Sequence, residues 1–162
     1  MVRSGIITYG CMPNTTLAVP IPVKPVMRLR AAVCQLKTVP AGTAVSYGRT
    51  FVSDREMRVA TVTIGYADGY SRLNSGKISV LVGGVKCPVV GNICMDQCMI
   101  DVSAVPDVKL GDEIVILGKQ GDAEISADDL AAINGTINYE ITCCFDLRIP
   151  KVYINYPAGM CE

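Results

Sequence analysis

The stretch Ile78-Ser79-Val80-Leu81-Val82-Gly83-Gly84-Val85-Lys86-Cys87-Pro88-Val89-Val90 decides the fold. Two short apolar runs flank a Gly-Gly pair, and glycine supplies the positive φ that a two-residue hairpin turn requires. The stretch predicts strand, tight turn and strand, paired antiparallel. Working outward, further strands are expected at Arg28 to Val39, Met57 to Ile64, Cys94 to Val102, Glu113 to Leu117 and Ile149 to Ile154. One helix is expected at Ser126 to Ile133, where a capping serine and early carboxylates favour the positive end of the helix dipole and Asn134-Gly135 stops it. A second, shorter helix is placed around Tyr139 to Cys144. The chain thus reads as mainly β, an antiparallel barrel-like domain with one or two short helices inserted late.

The N-terminal end differs in character. Ile6-Ile7-Thr8-Tyr9 reads as a short buried strand, and prolines 13, 20, 22 and 25 then turn the chain into an extended connector. The organisation expected is a strand and linker over residues 1–24, the β domain over 25–156 and a tail over 157–162.

Composition narrows the chemistry. The 162 residues include no histidine and no tryptophan. A Ser-His-Asp triad, a Cys-His dyad and histidine-bound zinc are excluded from this chain alone. Proton transfer near neutral pH falls to a carboxylate, cysteine, lysine or tyrosine. Lys+Arg and Asp+Glu balance at 15 each, and no basic run interleaved with aromatics appears, which argues against a nucleic-acid or anionic membrane partner. Eight cysteines occur without a C-x-x-C pair, so reduced thiols are expected and no metal site. Cys94 and Cys98 are read as small hydrophobes on one side of a strand. Apolar runs such as Ile114 to Leu117 are too short to span a bilayer, and a cytoplasmic protein is expected.

Function is sought where large side chains stand on glycine-flanked turns. Val45-Ser46-Tyr47-Gly48-Arg49-Thr50-Phe51, Gly65-Tyr66-Ala67-Asp68-Gly69-Tyr70 and Gly91-Asn92-Ile93-Cys94-Met95-Asp96-Gln97 share that pattern. Glycine permits sharp turns and close approach, which holds a phenol at the rim of an element instead of inside a core.

With Arg3-Ser4-Gly5-Ile6-Ile7-Thr8-Tyr9-Gly10 and Thr136-Ile137-Asn138-Tyr139-Glu140 added, five motifs in order resemble the C-terminal part of bacterial alanine racemases. In that family an (α/β)8 barrel holds pyridoxal 5′-phosphate as a Schiff base with a lysine near the start of the barrel. The β domain of a second subunit completes each site. The resemblance implies a shared-site homodimer acting on alanine, and D-alanine made for peptidoglycan. It makes residues 1–24 the remnant of the last barrel strand and its linker. None of lysines 24, 37, 77, 86, 109, 119 and 151 falls in a matching motif, so the chain is expected to be a fragment, inactive alone.

Roles follow from the same resemblance. Racemisation removes the Cα proton on one face and returns one on the other, so two bases flank the substrate. The cofactor lysine serves one face and Tyr47 the other. A free phenol titrates near about 10 and needs a stabilising neighbour to act as a base. In the family, barrel residues supply it. Arg3 faces the pyridine nitrogen, and its fixed charge leaves that nitrogen unprotonated, which weakens the ring as an electron sink. Gly5 and Ile6 offer backbone N–H groups to the cofactor phosphate, and Tyr139 offers its hydroxyl. Met95 and Tyr66 contact substrate. Tyr66 also lines an entryway with Arg72 and Ile137, where Asn92 replaces the arginine of some members. Two other readings compete: a serine racemase domain of a glycopeptide-resistance protein, and a stand-alone β module for binding or assembly.

Overall fold

The computed structural model describes residues 1–13, 22–145 and 147–154. Its strands are β1 (Leu29–Val39), β2 (Ala44–Val45), β3 (Phe51–Val52), β4 (Met57–Val62), β5 (Ser79–Val82), β6 (Val85–Val90), β7 (Cys98–Asp101), β8 (Glu113–Gln120) and β9 (Ala123–Ile125). The helices are α1 (Ala127–Asn134) and α2 (Asn138–Cys143).

The β5–β6 hairpin forms as the Gly83-Gly84 turn requires, with Val82 opposite Val85 and Ser79 opposite Pro88. From it the ring runs β1-β4-β7-β6-β5-β8, and β8 pairs back to β1, closing an antiparallel barrel. β1 makes closure possible. Its residues Leu29 to Ala32 pair with β8 and those from Val33 onward with β4, with register shifts between Leu29 and Arg30 and between Val33 and Gln35 on either side of the handover. A bulge of this kind bends and twists a strand, and the bend carries one strand between two neighbours. β9 extends the sheet beyond β8.

The barrel is filled by side chains. Val62, Val80, Ile100, Val102, Ile114 and Ile116 are buried to 0 % exposure. Four successive residues of β8, Ile114 to Leu117, are all buried, so both faces of that strand are covered. α1 supplies Leu130 and Ala131 to the same core, and α2 supplies Ile141. The α1 start is a reciprocal capping box: Asp129 N–H donates to Ser126 Oγ at 3.1 Å and Ser126 N–H to Asp129 Oδ2 at 2.8 Å. Gly135, at φ +69°, closes the other end.

A second, smaller cluster of Val45, Met57, Val59, Val90, Cys94 and Met99 seats the two-stranded ribbon β2–β3 against the barrel. Buried Ser53 fixes the base of that ribbon. Its Oγ donates to Pro40 O at 2.8 Å and accepts from Thr43 N–H at 2.9 Å.

Three local expectations change. Residues Gly5–Tyr9 form a 3-10 turn instead of a strand, with Gly5 at φ +59° and Gly10 at φ +73° bounding it. Among the described residues no strand lies beside it to complete a ladder, and only Ile6 of the run is buried. Residues 149–154 are irregular, since Pro150 lacks the amide that a ladder needs. The strand expected over Cys94 to Val102 shrinks to β7, because Cys94 N–H donates to Gln97 O at 2.9 Å and turns the chain there. Cys94 therefore belongs to the ribbon cluster and Cys98 to the barrel core. Both still pack as small hydrophobes: burial, with Cys94 and Cys34 nearby, pushes the Cys98 thiol up to about 12. The described cysteines are free, and among the described residues no group of three or more acidic or cysteine side chains is placed to hold a metal. No described helix is long and apolar enough to cross a membrane. The linker residues 14–21 and the tail 157–162 lie outside the described residues.

Candidate active site

Tyr47 stands at the tip of the β2–β3 ribbon and is 72 % exposed. Its loop lies directly on the Gly91–Gln97 loop. Ser46 Oγ donates to Asn92 O at 2.6 Å, and Asn92 Nδ2 donates to Tyr47 O at 2.8 Å. The Cys94–Gln97 turn lifts Met95 outward, leaving it 53 % exposed.

The Tyr66 turn docks on the other side of Met95. Tyr66 N–H donates to Cys94 O at 3.0 Å and Ala67 N–H to Met95 O at 2.9 Å. Gly65 is required for this approach, because a Cβ there would stand 2.3 Å from Met95 O. Arg72 donates through Nη1 to Ile93 O at 3.1 Å, so its guanidinium braces the same loop from the next turn. Asp68, within the Tyr66 turn, accepts from Gly65 N–H at 2.8 Å and pairs with Arg148 Nε at 2.9 Å. Arg148 reaches Asp96 as well, at 2.5 Å. That hydrogen bond to Asp96, with Asp68 alongside, raises the guanidinium above its ordinary range. One cation thereby joins the loops that carry Tyr66 and Met95.

Continuing past Tyr66, the Gly69 backbone abuts the end of α2: Cys144 Sγ donates to Gly69 O at 3.4 Å. Tyr139 lies in the first turn of α2, and Ile137 precedes that helix, exposed. Asn138 Nδ2 donates to Met12 O and to Asp128 Oδ1, each at 2.8 Å, which ties the segment following the Gly5–Tyr9 turn to the start of α2. Tyr47, Asn92, Met95, Tyr66 and Arg72 thus share one contiguous surface at one end of the barrel. Tyr139 and Ile137 follow along α2, with Gly5 and Ile6 linked to them through Met12. Arg3 is exposed ahead of that turn.

A family profile described as "Alanine racemase, C-terminal domain" matches residues 26–153. The chain belongs to the alanine racemase C-terminal domain family. It is 48 % identical over 159 residues to the alanine racemase of Halothermothrix orenii, covering 98 % of this chain and 42 % of that protein. The crystal structure of alanine racemase from Bacillus anthracis with bound L-Ala-P superposes with a TM-score of 0.87 at 39 % identity, over 93 % of this chain and 39 % of that one. Alanine racemase from Bartonella henselae with covalently bound pyridoxal phosphate gives a TM-score of 0.84 at 32 % identity, over 93 % and 40 %. The chain therefore spans about two fifths of the length of the alanine racemases it matches.

Two residues of this surface had no role assigned from the sequence. Ser46 lies inside a quoted motif, yet nothing in Val-Ser-Tyr-Gly signals a non-glycine residue held at φ +68°. Arg148 meets acids 80 and 52 positions earlier in the chain, a separation at which no short-range pattern operates.

Proposed function

We propose that this chain supplies the tyrosine side of an alanine racemase active site. It would interconvert L- and D-alanine with pyridoxal 5′-phosphate, in the cytoplasm, and furnish D-alanine for peptidoglycan. The observation that carries this reading is the mutual anchoring of the Tyr47, Asn92–Met95 and Tyr66 loops, which presents an exposed phenol from a rigidly held backbone.

The residues fit the cofactor. Gly5 opens a 3-10 turn at φ +59°, and nothing lies within 4 Å of where its Cβ would stand. At the start of such a turn the N–H groups of Gly5 and Ile6 have no intrahelical acceptor, which suits a phosphate. Gly5, Ile6 and the Tyr139 hydroxyl would hold that phosphate, and Arg3 would face the pyridine nitrogen. Pyridoxal phosphate, when bound, acidifies the Cα–H bond of the amino acid. Tyr47 Oη would take that proton on one face as the phenolate, or return one there as the phenol. Met95 N–H holds the substrate carboxylate, and Tyr66 narrows the approach together with Arg72, Asn92 and Ile137. In the homodimer these groups serve the partner's barrel.

All seven lysines of the chain are exposed. The lysine that anchors the cofactor in the family belongs to the barrel, and none of these seven falls in a matching motif. The chain alone is therefore expected to form no D-alanine from L-alanine and pyridoxal phosphate in a coupled D-amino-acid oxidase assay. Measurable turnover would contradict the reading. In the holoenzyme containing this chain, Tyr139→Phe is expected to weaken cofactor binding by about 1.5–3 kcal/mol, the contribution of a hydrogen bond to a charged group. A fluorescence titration with pyridoxal phosphate checks it, and an unchanged Kd removes Tyr139 from the phosphate site.

A further inference from the structure

The Tyr47 loop is wound through left-handed backbone, with Ser46 at φ +68°, Gly48 at φ +76° and Arg49 at φ +51°. Ser46 is the informative one. Its ψ of 174° places it in a region that glycine occupies and residues with side chains avoid. Such a conformation persists only where its surroundings over-determine it. Here the surroundings come from the Gly91–Cys94 segment.

Ser46 Oγ donates to Asn92 O at 2.6 Å, which secures the residue before the tyrosine. Asn92 Nδ2 donates to Tyr47 O at 2.8 Å, which secures the peptide after it. Gly91 brings the two backbones into contact, since a Cβ on it would stand 2.6 Å from Val45 O and 2.8 Å from Ser46 Cβ. Cys94 Sγ sits 3.5 Å from Ser46 Oγ and closes the floor. The Ser46 side chain before the Tyr47 Cα and the Tyr47 carbonyl after it are thus both bonded to one neighbouring residue, and that sets the direction of the Tyr47 Cα–Cβ bond. The phenol itself is mostly exposed, so packing does little to aim it.

We infer that Ser46 and Asn92 form a reciprocal clamp that aims the Tyr47 phenol, making Asn92 a positioning residue for proton transfer in addition to its place along the entryway. This rests on the reading of Tyr47 as the group that moves the Cα proton. A proton-transfer group must lie within hydrogen-bond reach of its target, and a small misplacement costs rate steeply.

The test uses the holoenzyme containing this chain, with Asn92→Ala, Asn92→Asp, Ser46→Gly and, as reference, Tyr47→Phe. Asn92→Ala and Asn92→Asp both remove the amide donor, and the second keeps the side chain's shape. Each is expected to lower kcat by about 10- to 100-fold with cofactor occupancy retained. Because only the tyrosine face is disturbed, the Cα-deuterium isotope effect on kcat/KM should rise for one alanine enantiomer and not for the other. A loss of stability alone would not produce that asymmetry. Ser46→Gly tolerates the backbone conformation but lacks the hydroxyl, so it folds and should show the same one-sided isotope effect, and it decides the matter if the Asn92 variants fail to fold. The clamp is overturned if folded variants turn over like the parent with unchanged isotope effects while Tyr47→Phe is inactive. If Tyr47→Phe itself turns over normally, the underlying assignment of Tyr47 fails, and the clamp with it.

Discussion

Tyr47→Phe in the holoenzyme containing this chain is expected to reduce racemisation by about 10²- to 10⁴-fold, the contribution of a positioned acid or base. Only the hydroxyl disappears. Tyr47 is 72 % exposed, and the loop is anchored through Tyr47 O and its neighbours, so the backbone of the loop should persist. The loss should therefore fall on kcat, with cofactor absorbance and the thermal midpoint unchanged. Steady-state assays in both directions check it, and near-parental turnover would remove Tyr47 from the chemistry.

Gly69→Ala should bring a large loss of stability. Gly69 has φ +92°, and a Cβ on it would stand 2.1 Å from Cys144 O and 2.8 Å from Phe145 Cα, both backbone atoms at the end of α2. The left-handed conformation and the overlap together should cost about 2–5 kcal/mol. Gly76→Ala provides the comparison: its φ is +65°, yet nothing lies within 4 Å of the added Cβ. That variant carries only the conformational cost, about 1–2 kcal/mol. Urea unfolding of both variants checks the difference, and equal midpoints would mean that α2 is not pressed against the Tyr66 turn.

Elements governed by local chemistry were legible in the sequence. The Gly83-Gly84 turn and its apolar flanks are a short-range signal, and β5 and β6 follow it. Ser126, Asp129 and Gly135 likewise mark the ends of α1. Barrel closure was not legible in detail, because it depends on β1 being shared between β8, up to Ala32, and β4, from Val33, with a register shift in each pairing. The ribbon carrying Tyr47 has strands of two residues each, too short for any periodicity, and exists because Val45 and Phe51 join a hydrophobic cluster supplied by distant strands. Ile6 to Tyr9 and Ile149 to Ile154 illustrate the converse: apolar residues suited to strands do not make them without a hydrogen-bonding neighbour or past a proline.

The site divides in the same way. Tyrosines on glycine-flanked loops could be picked out because the residue types and their spacing are local. What joins those loops is non-local: Ser46 to Asn92, and Arg148 to Asp68 and Asp96. Such contacts follow from the closed barrel, which brings the loops between β2 and β3, after β4 and before β7 to one end.

Delivery of Tyr47 to a cofactor lysine held on another subunit is the arrangement proposed, and subunit mixing distinguishes it from a site built within one subunit. A holoenzyme carrying Tyr47→Phe is combined with one whose barrel lacks the cofactor lysine, each inactive alone, and subunit exchange is confirmed by native mass spectrometry. With sites shared across a twofold interface, each heterodimer contains one site with both tyrosine and lysine, and an equimolar mixture should recover about one quarter of parental activity. Full subunit exchange with no recovered activity would place the tyrosine and the lysine on the same subunit and contradict the account.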